Sequence, residues 1–133
     1  MAIVSLQHVQ MIVPANQAGE AKRFYGELLG LEEMPRPQSL SDAGRTGAWY
    51  RIADQELHLR FETDPAGEPG LSEGHPALIT SDLDGLRSRL SAAGFDLEEA
   101  VPIEGRARFF ARDPGGNRIE FLAFTGARTD PRA

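Results

Sequence analysis

The feature that most constrains this chain is an internal repeat. From Ile3 to Val13 apolar residues fill most positions, as in a strand, with His8 in the middle. Pro14-Ala15-Asn16 breaks the run, and Asn16 carries a side chain suited to capping a helix. Ala21, Phe24, Tyr25, Leu28 and Leu29 then recur at helical spacing, and Gly30 stands where a glycine ends a helix. A loop over 35–46 leads to strands over 47–53 and 56–62, joined by a short turn at Asp54-Gln55. Residues 64–73, rich in Pro and Gly, predict a linker. Beyond it the pattern restarts. A short strand over 75–80 precedes a helix opened by Ser81 and Asp84, faced by Leu83, Leu86, Leu90 and Ala93, and closed by Gly94. A strand with its connection follows over 95–103. A hairpin then pairs 107–112 with 118–124 across Asp113-Pro114-Gly115-Gly116-Asn117, and the polar tail 125–133 is expected to fray.

Laid on each other, "HVQMIVPAN" and "HPALITSDL" bring His8 onto His75. "GAWYRIADQELHLRF" and "ARFFARDPGGNRIEF", with two extra turn residues allowed, bring Trp49-Tyr50 onto Phe109-Phe110 and His58 onto Glu120. The pattern is a β-α-β-β-β unit used twice, over about 3–63 and 74–124, within one domain of 133 residues. It predicts an α+β fold: a curved, mostly antiparallel sheet with helices outside.

The chemistry-bearing residues follow the repeat. A carboxylate inside the apolar stretch Ile119-Glu120-Phe121 is costly unless something pairs with it. The chain has only three histidines, and with Glu120 they occupy two structural positions, each used once per module. A pseudo-twofold axis between modules would gather His8, His58, His75 and Glu120, a donor set suited to a divalent first-row metal. Singly, each has a plainer role: a hydrogen-bonded strand histidine for His8 or His58, a turn cap for His75, an arginine partner for Glu120. Such separate roles do not explain why every histidine falls at a repeat-equivalent position. Glu56, two residues before His58, is a substitute ligand or a solvated charge.

Composition narrows the partners. Formal net charge is −6, the wrong sign for a general nucleic-acid binder. There is no cysteine, which excludes disulfides and thiolate chemistry and fits a cytoplasmic protein. No apolar run reaches membrane-spanning length, and the first residues carry no signal-peptide pattern. A small molecule or a protein is therefore the expected partner. Lys22 is the only lysine, so positive charge is nearly all arginine. Arg51, Arg60, Arg106 and Arg108 lie on or beside strands and suit carboxylate or phosphate recognition. Trp49, Tyr50, Phe109 and Phe110 wall a pocket or fill the core.

The doubled unit, the helix end "FYGELLGL" and the hairpin "DPGGNRIEF" resemble the vicinal oxygen chelate superfamily over roughly 3–124. That family includes glyoxalase I, ring-cleaving dioxygenases, fosfomycin-resistance enzymes, methylmalonyl-CoA epimerase and bleomycin-binding proteins. The resemblance implies one divalent metal (Zn, Ni, Fe, Mn or Co) held by His8, His58, His75 and Glu120. In the fosfomycin and dioxygenase branches three positions bind metal, matching His8, His75 and Glu120. In glyoxalase I the position of His58 is usually Glu. It further implies a homodimer and lyase or isomerase chemistry on a small substrate with adjacent oxygens. Glu120 would then be the base, with Arg106, Arg108, Trp49 and Phe110 around the substrate. The alternatives are a non-catalytic binding protein of the bleomycin-resistance kind and an extradiol-type dioxygenase. The dioxygenase needs a spare acid–base histidine, and His58 is placed at the metal.

Overall fold

The computed structural model describes residue 2, residues 4–63 and residues 74–125. Ile3, the expected linker over 64–73 and the tail from 126 onward lie outside the described residues. The chain divides into two units, Met1–Pro69 and Gly70–Ala133.

In the first unit, alternation along each strand separates a packed face from an open one. Strand β1 (His8–Pro14) buries Met11 and Val13 and turns His8, Gln10 and Ile12 the other way. A 3₁₀ turn (Ala15–Gln17) leads into α1 (Ala18–Lys22), which continues as a π turn over Arg23–Leu28. There the Leu29 N–H reaches back five residues to the Phe24 carbonyl (2.9 Å). Asn16 lies inside the 3₁₀ turn and makes no side-chain cap, contrary to its sequence signature. Strand β2 (Glu32–Met34), α2 (Gln38–Asp42), β3 (Thr46–Ile52) and β4 (Gln55–Glu62) complete the unit. The four strands lie in the order β1-β4-β3-β2, with β1 parallel to β4 and the other pairs antiparallel. Ala21, Phe24 and Tyr25 of the helix join Met11, Val13, Ala48, Tyr50, Leu57 and Leu59 in the core.

The second unit repeats the plan. Strand β5 (Ala77–Ile79), α3 (Leu83–Ala92), β6 (Leu97–Glu99), β7 (Arg106–Arg112) and β8 (Arg118–Phe124) form a sheet ordered β5-β8-β7-β6. Again the first and last strands run parallel. Helix α3 buries Leu83, Leu86 and Leu90, and the sheet buries Phe109, Ala111, Ile119 and Phe121. The cap of α3 is Asp82, whose Oδ1 accepts from the Gly85 N–H (3.0 Å), one residue beyond the expected Ser81. Gly30 and Gly94 end the two helical stretches at φ of +74° and +90°, a conformation that Cβ disfavours. The protein is thus α+β, with two mixed four-stranded sheets.

Several boundaries move. β1 starts at His8, His75 precedes β5, and β2 and α2 fall in stretches that show no strong period in the sequence. The β3–β4 turn is Ala53-Asp54, with Ala53 at φ +54°. The more consequential correction concerns register. The β7–β8 turn (113–117) has three residues more than the β3–β4 turn (53–54), but its ladder has one pair fewer between the turn and Glu120, so the net insertion is one residue (3 − 2 = 1), not two. Trp49 therefore corresponds to Phe110 rather than Phe109. Because strands have a period of two, that single step decides which aromatic shares a sheet face with Glu120 and which takes the opposite face.

Candidate functional site

In each unit one row of residues crosses the open face. In the first, Gln10, His58, Trp49 and Met34 sit opposite one another on β1, β4, β3 and β2. In the second, Ala77, Glu120, Phe110 and Glu98 take the corresponding places on β5, β8, β7 and β6. His58 and Glu120 thus hold the same position, each beside an aromatic ring.

In the first unit, His58 is 5% exposed and lies between two rings. Trp49 stacks on one side (centroids 3.8 Å apart, planes within 3°) and His8 on the other (4.1 Å, 15°). A carboxylate only accepts, so His58 Nε2 donates to Glu56 Oε1 (2.8 Å). That hydrogen bond is the main reason the Glu56 carboxyl lies below its usual range; His58 and Arg51 add favourable charge. His8 Nδ1 donates to Gln7 Oε1 (2.6 Å), which leaves Nε2 as the open lone pair of that exposed ring.

In the second unit, Glu120 is 6% exposed. Its Oε1 accepts from His75 Nε2 (3.0 Å) and lies 3.5 Å from Arg108 Nη1. This answers the cost of a carboxylate in an apolar strand: it is paired twice. The His75 ring meets the edge of Phe110 (4.9 Å, 87°), and Arg118 lies over the Phe110 ring at 3.7 Å. Arg108 also donates to the Val101 carbonyl (2.7 Å).

These residue types are suited to a divalent metal, and one pair of them also has the spacing of two ligands. Two ligands about 2.0–2.3 Å from one ion at a right angle lie about 3 Å apart. His75 Nε2 and Glu120 Oε1 are 3.0 Å apart. Among the described residues, however, no group of three His, Asp or Glu forms a metal cluster. Each unit supplies its donors as a separate set: His8, His58 and Glu56 in one, His75 and Glu120 in the other.

The first unit also contains a cavity of about 440 Å³, lined in part by Arg36, Leu40, Arg45, Trp49, His58 and Arg60. Arg36 and Arg45 had no sequence signal, because they flank α2 in a stretch that reads as loop. A second cavity of about 440 Å³ in the other unit is lined in part by Phe95, Leu97, Phe110, Asp113 and Arg118. Trp49 and Phe110 line these cavities, whereas Tyr50 and Phe109 are core. Of the other strand arginines, Arg60 pairs with Glu62 (2.9 Å) and Arg106 lies over the Phe124 ring (5.2 Å). Arg51 is exposed opposite Glu56 and Glu32. Among the described residues no helix is long and apolar enough to cross a membrane.

Comparison with known proteins identifies the family. A sequence profile of the Glyoxalase/Bleomycin resistance protein/Dioxygenase superfamily matches residues 5–121. A glyoxalase family protein from Bacillus anthracis is 33% identical, with a TM-score of 0.80 over 92% of this chain and 97% of that one. A mutant fosfomycin resistance protein, FosX, from Listeria monocytogenes, complexed with Mn(II) and 1S,2S-dihydroxypropylphosphonic acid, is 19% identical. Its TM-score is 0.76, over 92% of this chain and 94% of that one. Lactoylglutathione lyase from Agrobacterium tumefaciens is 18% identical, with a TM-score of 0.66 over 92% and 96%. The last two show likeness of fold alone. No curated protein matches the sequence.

Proposed function

Since this chain belongs to the Glyoxalase/Bleomycin resistance protein/Dioxygenase superfamily, we propose that it is a metal-dependent enzyme of lyase or isomerase type. Its substrate is a small oxygen-rich molecule bearing adjacent oxygens. His8, His58, His75 and Glu120 hold one divalent ion, and the protein works as a homodimer in the cytoplasm. The observation that carries this reading is the part-buried His75–Glu120 pair, whose 3.0 Å spacing suits two ligands of one metal. When bound, the metal supplies Lewis acidity to neighbouring substrate oxygens.

The side chains do the rest. His8 offers Nε2 because Gln7 holds its other nitrogen. His58 is kept flat between Trp49 and His8, so its ring plane is set before any ligand arrives. Glu120 takes the proton from carbon next to a carbonyl. Its Oε1 is engaged by His75 and Arg108, whereas Oε2 has no partner among the described residues and is the oxygen that accepts the proton. Arg108 orients Glu120, and Arg106 on the same face meets an anionic group of the substrate. Trp49 and Phe110 flank the bound molecule.

One observation favours a second reading, a non-catalytic binding protein. The Nε2 atoms of His58 and His75 already have carboxylate partners within the protein. Elemental analysis of untagged protein, purified without added metal, separates the two. About one equivalent of a first-row metal, lost in His8→Ala, supports the enzyme. Absence of metal together with tight ligand binding supports the binding protein.

A further inference from the structure

We propose that the cavity of the first unit is an anion pocket, in which Arg36, Arg45 and Arg60 hold a carboxylate or phosphoryl group against Trp49 and Leu40. As the anchor of a substrate it rests on the function proposed above; as an anion pocket it stands without it. Three guanidinium groups line this cavity and its single lining carboxylate is Glu56; counting also Glu62, which pairs with Arg60, the local balance is 3 − 2 = +1. The chain as a whole carries −6. Glu56 moreover already accepts from His58, so it is not the counter-charge the arginines need.

Each arginine keeps donors in reserve. Arg36 Nη2 donates to the Arg45 carbonyl (3.3 Å), but its Nε is buried with no partner among the described residues. A buried guanidinium N–H without an acceptor is unfavourable, and an incoming anion removes the penalty. The Arg45 guanidinium has no ion-pair or hydrogen-bond partner among the described residues. Arg60 meets Glu62 through Nε, which leaves its two terminal nitrogens. Carboxylate and phosphoryl oxygens match the fork of guanidinium donors.

The rest of the lining sets the class of molecule. Leu40 from α2 and the Trp49 ring form apolar walls for a carbon skeleton, and about 440 Å³ holds a small metabolite. His8 and His58 line the same cavity. The ligand is therefore a small molecule with an anionic end at the arginines and its oxygen-bearing carbons toward the histidines. The sequence hides this arrangement because α2 folds between Arg36 and Arg45 and brings both to one cavity.

Trp49, the only tryptophan, reports on the pocket directly. Protein freed of metal on a chelating resin is titrated, at constant ionic strength, with inorganic phosphate and separately with malonate while Trp49 emission is followed. A saturable change with at least one anion is expected. It should weaken about tenfold or more in Arg45→Gln and in Arg36→Gln, since each loses a charge-assisted contact. Arg23→Gln, on the helix surface beside Glu27, should bind as the parent does. A response to phosphate alone assigns a phosphoryl ligand, and a response to malonate alone assigns a carboxylate. The proposal is overturned if neither anion saturates by about 100 mM, or if Arg45→Gln and Arg36→Gln respond as the parent does. Because no metal is present, either result leaves the metal-dependent reading to its own test.

Discussion

Trp49 and His58 lie face to face, with ring centroids 3.8 Å apart and planes 3° from parallel. A metal bound by His58 would draw charge from a ring in contact with the only fluorescent indole of the chain. One equivalent of Ni(II) or Co(II) should therefore change Trp49 emission stoichiometrically, and His8→Ala or His75→Ala should abolish the change. Unchanged emission in protein shown by elemental analysis to be loaded would remove His58 from the ligand set.

Glu120→Gln tests the base. The amide has nearly the shape of the carboxylate and keeps an oxygen for His75 and Arg108, so most of the metal should remain. Turnover should fall by about 10²–10⁴-fold, the usual contribution of a general base. A substrate turned over by Glu120→Gln at the parental rate would show that the proton goes elsewhere.

Tyr50 gives a stability prediction independent of function. Its hydroxyl is buried and has no hydrogen-bond partner among the described residues. Removing an unsatisfied hydroxyl relieves a desolvation cost, so Tyr50→Phe should stabilise the fold by about 1 kcal/mol at pH 8. Burial, and then the nearby charge of Glu33, push the Tyr50 pKa from 10.0 up to about 12. A raised folded value means that the fold favours the neutral phenol. The contribution is complete below pH 10 and is lost as pH rises toward 12. Its full size is about 2–3 kcal/mol. Denaturant midpoints at pH 8 and pH 11 should fall further apart in the parent than in Tyr50→Phe. Equal slopes would show that Tyr50 ionises no differently when folded.

Asp113 holds the turn that sets the register of β8. Its Oδ1 accepts from the Gly115 and Asn117 backbone N–H groups, both at 2.8 Å, and Oδ2 accepts from Asn117 Nδ2 (2.9 Å). Asp113→Ala should cost about 2–4 kcal/mol, because it strands these donors in a buried turn. Asp113→Asn keeps the oxygen facing the backbone and should cost about 1–2 kcal/mol. Chemical denaturation ranks the two, and an equal loss would deny the backbone bonds their role.

Much of the fold is carried by short-range pattern and could be read directly. The strand–helix–glycine order, the hairpins and the equivalence of His8 with His75 depend on alternation, helical spacing and turn residues within a dozen positions. The same register puts His58 and Glu120 in one row of each sheet, and the structure has them there, beside Trp49 and Phe110. The short strand β2 (Glu32–Met34) could not be read, because two of its three residues are charged and it forms only through its ladder with β3. Asn16 has the chemistry of a cap, yet the chain winds into a 3₁₀ turn through it.

Tertiary structure alone decided the rest. Whether Phe109 or Phe110 shares a sheet face with Glu120 depended on a five-residue turn held by Asp113, and a shift of one residue reverses every side chain beyond it. The pairing of Glu56 with His58 also follows from the fold. Both point to one face of β4, but their contact depends on ring positions fixed by Trp49 and His8. The gathering of Arg36, Arg45 and Arg60 is the clearest case. Two flank α2 and one lies on β4, so no periodicity links them. Local spacing encodes which face a residue takes within its own element. Which residues from different elements meet is set by loop lengths and strand pairing, and these act only once the chain has folded.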